Sequence, residues 1–346
     1  MNYILDFNGF NLTFNGLDCI HEPYTMPAYT LRLKYKPGTS PSNARGTRTY
    51  IGNDIWDVTY ESGNWRNMFN GDTNLLEVIA GNTDEIFNMQ NLFRDCESLE
   101  ACAVFNTSSV TNISCIFYNC SSMTTIPLLD THNAIDASYM FCGCTGISTI
   151  PLIDLSNATD ISGLFYGCSN LTSVPQLNTS KATNAYAMFA QCTSLTTIPL
   201  IDTSKVEDMS FMFVQCEALT SVPLLDTSSV ETMEAMFMNC YNLLTYPQFN
   251  TSNVLTMDSM FANCNSMTAI TLLNTDVVTN VESMFNHCES VSSNILAFYQ
   301  QMSTQANPPT SHANTFLFCG SNNPTGTTEL AQIPTSWGGT DQGGLN

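Results

Sequence analysis

The sequence predicts a repeat solenoid, β-rich with short helical turns, made of ten 24-residue coils and capped at both ends. Three observations carry this. A Phe recurs every 24 residues from Phe69 to Phe285 without a slip. A Cys follows three residues after each Phe from Cys96 to Cys288, and the first copy has Asp72 there instead. No insertion interrupts the period, and a fixed period over many copies means stacked, nearly identical turns of chain. The pairs Phe93 and Cys96, Phe117 and Cys120, Phe141 and Cys144, Phe165 and Cys168, and Phe189 and Cys192 therefore belong to one structural ladder. It continues through Phe213 and Cys216, Phe237 and Cys240, Phe261 and Cys264, and Phe285 and Cys288.

Residues 1–64 stand outside the period and read as a β-rich capping or docking domain. Tyr3–Phe7 and Tyr29–Tyr35 alternate apolar and polar residues, as half-buried strands do, and Ile55–Tyr60 reads as a third strand. The run Pro37-Gly38-Thr39-Ser40-Pro41 breaks the second of these. End coils expose an apolar cross-section, so a solenoid needs such a cap.

The solenoid itself is predicted over residues 65–291. Leu195, Ile198 and Ile201, then Leu219, Val222 and Leu225, form apolar columns around a Pro that recurs at positions 127, 151, 175, 199, 223 and 247. This segment is expected to be extended, with a strand of three or four residues per coil that the missing proline N–H interrupts. A turn follows at Asp130, Asp154, Asp202 and Asp226, with Asn at 106, 178, 250 and 274, and then usually Thr and Ser. Such side chains fold back on nearby backbone N–H groups, and stacked side chains can also bridge neighbouring coils. Met209, Met212 and Phe213 fall at i, i+3 and i+4, the spacing of one helical turn, with a second short strand as the competing reading.

Residues 292–346 read as a C-terminal cap. Asn294–Met302 is expected to be a helix, ended before Pro308-Pro309. Phe316 and Cys319 revive the ladder signature, 31 residues after Phe285, and Ile333-Pro334 echoes the proline step. Gly338–Asn346 is expected to be loose.

The F-x-x-C-x-x-L-x-x-I-P units, with the terminal F-x-x-C-G-S and I-P-x-x-W, resemble the BspA-type leucine-rich repeats of bacterial surface proteins. The D-T-S-x-V-T-x-M variant resembles a close relative found in bacterial lipoproteins and in proteins of gut bacteria and their phages. The resemblance spans about residues 65–337. It implies a leucine-rich-repeat-like solenoid and an adhesive or binding role rather than catalysis.

The residues themselves argue the same way. Metal binding needs three or four ligands converging on one point, whereas one thiol per coil runs along the axis. Parallel Cβ vectors are poor geometry for disulfides, so buried free thiols are expected, with Cys142/Cys144 and Cys102/Cys115 the off-ladder pairs of interest. Calcium needs six to eight oxygens and usually a Gly-rich turn, but here the carboxylate column is half Asn and set among Pro and Thr. His287 beside Cys288 is adjacency on a ladder, because the thiol points inwards. No nucleophile elbow, phosphate loop, zinc or dinucleotide motif occurs. No catalytic, cofactor-binding or metal residue is therefore assigned, no cofactor is expected, and the protein is read as a non-enzyme.

Charge bounds the partners. The chain has 9 basic and 30 acidic residues and a net charge of −21. Residues 1–66 hold six of each sign, so 24 acids face only Arg94, Lys181 and Lys205 over the remaining 280 residues. Such a surface disfavours nucleic acid and anionic membranes, and no apolar run is long enough to insert in a bilayer. The N-terminus has no signal-peptide pattern. The expectation is a phage virion component, a tail or fibre protein made in the host cytoplasm and contacting the host surface. The alternatives are a BspA-type adhesin on the bacterial cell surface and a purely structural spacer. Expected partners are a protein or glycan on a host cell, or neighbouring virion proteins, with a homo-oligomer also compatible.

Overall fold

The computed structural model describes residues 26–42 and 45–340 in full, and the backbone of 4–7, 10–15 and 18–23. Residues 341–346, most of the tail expected to be loose, lie outside the described residues, as do Tyr3 and the side chain of His21.

The chain opens with three antiparallel strands, β1 (Ile4–Phe7), β2 (Phe10–Asn15) and β3 (Asp18–Pro23), paired in that order. A second sheet contains β4 (Thr30–Tyr35), β5 (Thr47–Gly52), β6 (Ile55–Thr59), β7 (Leu75–Asn82) and β8 (Ala101–Cys102), ordered β5-β6-β4-β7-β8. Alternation signals β4 as half-buried, yet Thr30, Leu31, Arg32, Leu33 and Tyr35 are all buried. Its central place explains this, and Arg32 is accommodated by a two-bond ion pair with Asp57 of β6 (2.8 and 2.9 Å).

This sheet crosses the boundary drawn at residue 64, because β7 and β8 are the extended segments of the first two coils. They pair in parallel, Glu77 with Ala101 and Val78 with Cys102, and Ala103 N–H adds a last bond to Val78 O (2.7 Å). The next coil has Pro127 where these have Ile79 and Ala103. Proline has no N–H to extend the ladder, so the sheet stops there.

Beyond it the expected strand does not form. No backbone hydrogen bond joins neighbouring coils through residues 150–154, 174–178, 198–202 or 222–226. The burial explains why: Leu195, Ile198 and Ile201 are buried at every third position. Three is the period of polyproline II, whereas a strand buries every second residue. Extended chain with a proline per coil is packed here as a stack of columns without a ladder.

The opposite side of each coil carries the backbone bonding. Met209, Phe211, Phe213 and Gln215 donate to Thr232, Glu234, Met236 and Met238 of the next coil (2.8–3.1 Å). Met212, Val214 and Cys216 instead bond three residues back, to Met209, Phe211 and Phe213 (3.0–3.2 Å). The segment is thus neither the helical turn nor the strand that the spacing predicts. Left-handed residues at Phe211 and Gln215, both with φ of 59°, interrupt any helix. Parallel bridges link Asn64 to Asn88 and then every 24th residue to Asn280, and finally Ser311.

One core runs from the second sheet through the stack to the C-terminal cap, joining Leu31, Tyr35 and Trp65 to Trp337. The expected helix is α1 (Ile295–Thr304), whose Phe298 meets Phe285 edge-on at 5.6 Å. A second helix, α2 (Pro324–Leu330), was not anticipated, although Asn323 before Pro324 is a helix-start signal: its side chain accepts from Thr325 and Gly326 N–H. Phe316 stacks on Phe285 at 5.9 Å, so the offset of 31 residues makes room for α1. Gly338 and Gly339, expected to be loose, are buried and bonded to Thr335 and Pro334 carbonyls. Gly338 has φ of +86°, and a Cβ there would meet Leu317 N at 2.5 Å.

Candidate functional site

The structure places all eighteen ladder residues in the interior, each with no exposed surface. The Phe rings lie nearly parallel, their centroids 5.3–5.9 Å apart from Phe69 to Phe316. Each thiol also has a partner that sequence reasoning missed. From Cys96 to Cys288, every Sγ donates to the carbonyl of the Phe 27 residues earlier, at 3.0–3.2 Å. That carbonyl already accepts the N–H of the Cys in its own coil, or of Asp72 in the first, so the thiol occupies its second lone pair and ties two coils together. Burial pushes these thiols well above the ordinary range, which disfavours the thiolate form.

The first coil replaces the thiol by Asp72, whose carboxylate accepts Tyr35 OH (3.0 Å) and Asn74 N–H (3.2 Å). Burial holds this carboxyl above its usual range, partly offset by those donors. It joins the second sheet to the stack and is fully enclosed.

The other sequence candidates are dispersed. His287 Nδ1 lies 3.3 Å from Glu289, whereas Cys288 points inwards to Phe261 O. Cys102, Cys115, Cys142 and Cys144 are all free. Cys144 is on the ladder, while Cys142, pushed up to about 11 chiefly by burial, is buried outside the main core. Among the described residues no group of three His, Cys, Asp or Glu side chains is arranged to hold a metal ion. No helix among them is long and apolar enough to cross a membrane.

What does reach solvent in a regular way is the proline side. Burying every third residue leaves the position after each Pro, or after Ala103 and Thr271 where Pro is replaced, facing outwards. Val104, Leu128, Leu152, Leu200, Leu224 and Leu272 occupy it, and four of these are 60% exposed or more. Gln176 and Gln248 interrupt the column, and their amides donate to Leu200 O and Leu272 O of the next coil. An apolar column of this kind is a binding surface or a liability. Its signal was legible as the x of I-P-x-L, but it was masked by the expectation of a strand period.

The exposed Asp and Asn turns lie two residues further on. Asp154, Asp202 and Asp226 each accept the N–H of the Ser two residues later (2.9–3.0 Å). Asp130 does so from His132 N–H (3.2 Å), and the His132 ring also contacts it at 2.5 Å. Hydrogen bonds from those Ser side chains, and from His132 for Asp130, hold the four carboxyls below their usual range, so the column stays charged. Just behind, buried threonines bridge the coils: Thr107, Thr131, Thr179, Thr203, Thr227 and Thr251 each donate to the Asp or Asn carbonyl 23 residues later (2.6–2.8 Å). Leu224, Leu225, Asp226, Thr227, Gln248 and Asn250 line a shallow depression of about 310 Å³, so the apolar and acidic columns share one concavity.

A family described as "Mycoplasma protein of unknown function, DUF285" matches residues 46–150, 138–245 and 220–317. No curated protein matches the chain. Among solved structures, a leucine-rich repeat protein from Eubacterium ventriosum is similar at 15% identity, over 70% of this chain and 79% of that one, with a TM-score of 0.36. The plant peptide hormone receptor RGFR1 in complex with RGF2 is similar at 18% identity, over 57% of this chain and 32% of the receptor chain, with a TM-score of 0.23.

Proposed function

We propose, from the premise that the chain belongs to the DUF285 family of repeat proteins, that it is a non-enzymatic binding protein working through the proline side of its coils. The observation that supports this is the column of solvent-facing leucines beside a column of charged Asp. Each coil with an apolar residue at this position adds one weak contact, and the stack sums them over a long surface. A BspA-type leucine-rich repeat is the finer reading of the architecture. A virion component meeting its host and an adhesin on a bacterial surface are two settings for the same role, with a cell-surface protein or glycan opposite. Catalysis is disfavoured because the thiols are enclosed and hydrogen-bonded to carbonyls.

The test is binding of the fluorescently labelled full chain to whole bacterial cells. Leu152→Ser, Leu200→Ser and Leu224→Ser combined should abolish it, while serine substitutions at the exposed Thr111, Thr159 and Thr183, outside that column, should not. Equal binding by both sets would overturn the reading.

A further inference from the structure

We infer that the partner segment on the proline side is a basic, amphipathic α-helix lying along the stack axis; this rests on the binding reading above. The first reason is charge. The exposed leucines are flanked by Asp130, Asp154, Asp202 and Asp226, all kept ionised by local hydrogen bonds. From residue 67 onward, 24 acids stand against three basic residues. A second copy of this chain would bring like charge against like, and so would an anionic lipid surface. A cationic partner is attracted to this column, and its apolar side chains cover the leucines.

The second reason is spacing. The core repeats every 5.3–5.9 Å from ring to ring. An α-helix rises about 5.4 Å per turn, so it offers one side chain to each coil in step. A partner strand along the axis returns to the same face only every ~6.7 Å and slips by about 1 Å per coil. Polyproline II returns every ~9.3 Å and falls short of two coils by about 1.3 Å or more. The depression at Leu224 and Asp226 receives, in this geometry, one apolar side chain from the helix with a Lys or Arg reaching the carboxylate.

The experiment uses the full chain and a synthetic helical peptide of about 21 residues, six turns, with Leu on one face and Lys along both edges. Fluorescence anisotropy at low salt should show binding that Leu152→Ser with Leu224→Ser weakens at least tenfold. Asp202→Asn with Asp226→Asn should weaken it several-fold, and added salt should do the same. Peptides with Glu in place of Lys, or with the same residues scrambled to remove the apolar face, should not bind. Equal affinity for the scrambled peptide, or no effect of the leucine substitutions, overturns the inference. So does a dimer in sedimentation that the leucine substitutions dissolve, since a second copy then occupies the face. If the triple leucine variant loses cell binding but the wild-type chain ignores the peptide, the helix inference fails and the binding reading stands. If that variant keeps cell binding, the binding reading fails.

Discussion

Two sides of the same coil solve the stacking problem differently. On the phenylalanine side, alternate N–H groups bond to the next coil and the thiols tie Phe carbonyls to the coil after, so register is set by hydrogen bonds. On the proline side, neighbouring coils are held by buried columns, threonine hydroxyls and a few Gln amides. One side thereby becomes the spine, and the other is free to present side chains that vary without loss of the fold.

The largest expected effect comes from breaking the spine. Phe213→Ala removes a ring stacked on both neighbours and should cost about 3–5 kcal/mol in denaturant unfolding. Cys216→Ala should cost about 1–2 kcal/mol, for a lost hydrogen bond and a small cavity. The discriminating comparison is Cys216→Ser, which keeps a donor and should cost less than Ala. A thiol that merely filled space would give the reverse order.

Asp72 sharpens the contrast at the sheet–stack junction. A carboxyl whose folded-state pKa is raised favours folding when protonated; that contribution is complete below the usual carboxylate range, near 4, and is lost as pH rises through the raised value. The stability advantage of Asp72→Asn over the natural chain should therefore grow from pH 4 upward and then level off, as urea melts across that range will read. A pH-independent difference would remove Asp72 from the account.

Smaller effects follow at the turns and on the surface. Ala235 adopts φ of 49°, a left-handed conformation that costs an L-residue about 1–2 kcal/mol. Ala235→Gly should be neutral within about 0.5 kcal/mol, whereas the same change at an ordinary right-handed position costs roughly 1. Leu200→Ser should change stability by less than about 0.5 kcal/mol, because the side chain is more than half exposed.

The Phe and Cys period made the stack legible, since interior columns need one residue type per coil. The turns were legible too, because Asp154 and Asp202 can satisfy backbone N–H groups within two residues. The phenylalanine side was misread because Met209, Met212 and Phe213 have helical spacing, while the left-handed Phe211 between them carries no Gly or Asn to announce it. The strand over the prolines was misread because a period of three was taken as extended pairing. Leu152 and Leu224 followed that error: in a strand their direction is ambiguous, and only the column packing turns them outwards. The Cys-to-Phe carbonyl bonds connect residues 27 apart, a separation that no local pattern reveals.

Amide hydrogen exchange followed residue by residue tests the two-sided coil most directly. The N–H groups of Phe189 and Phe213, bonded to Met212 O and Met236 O, should exchange only on global opening, while those of Leu200, Ile201 and Leu224 should exchange orders of magnitude faster. Equal protection on both sides would mean that the proline side is also laddered, and the division into spine and working face would be wrong.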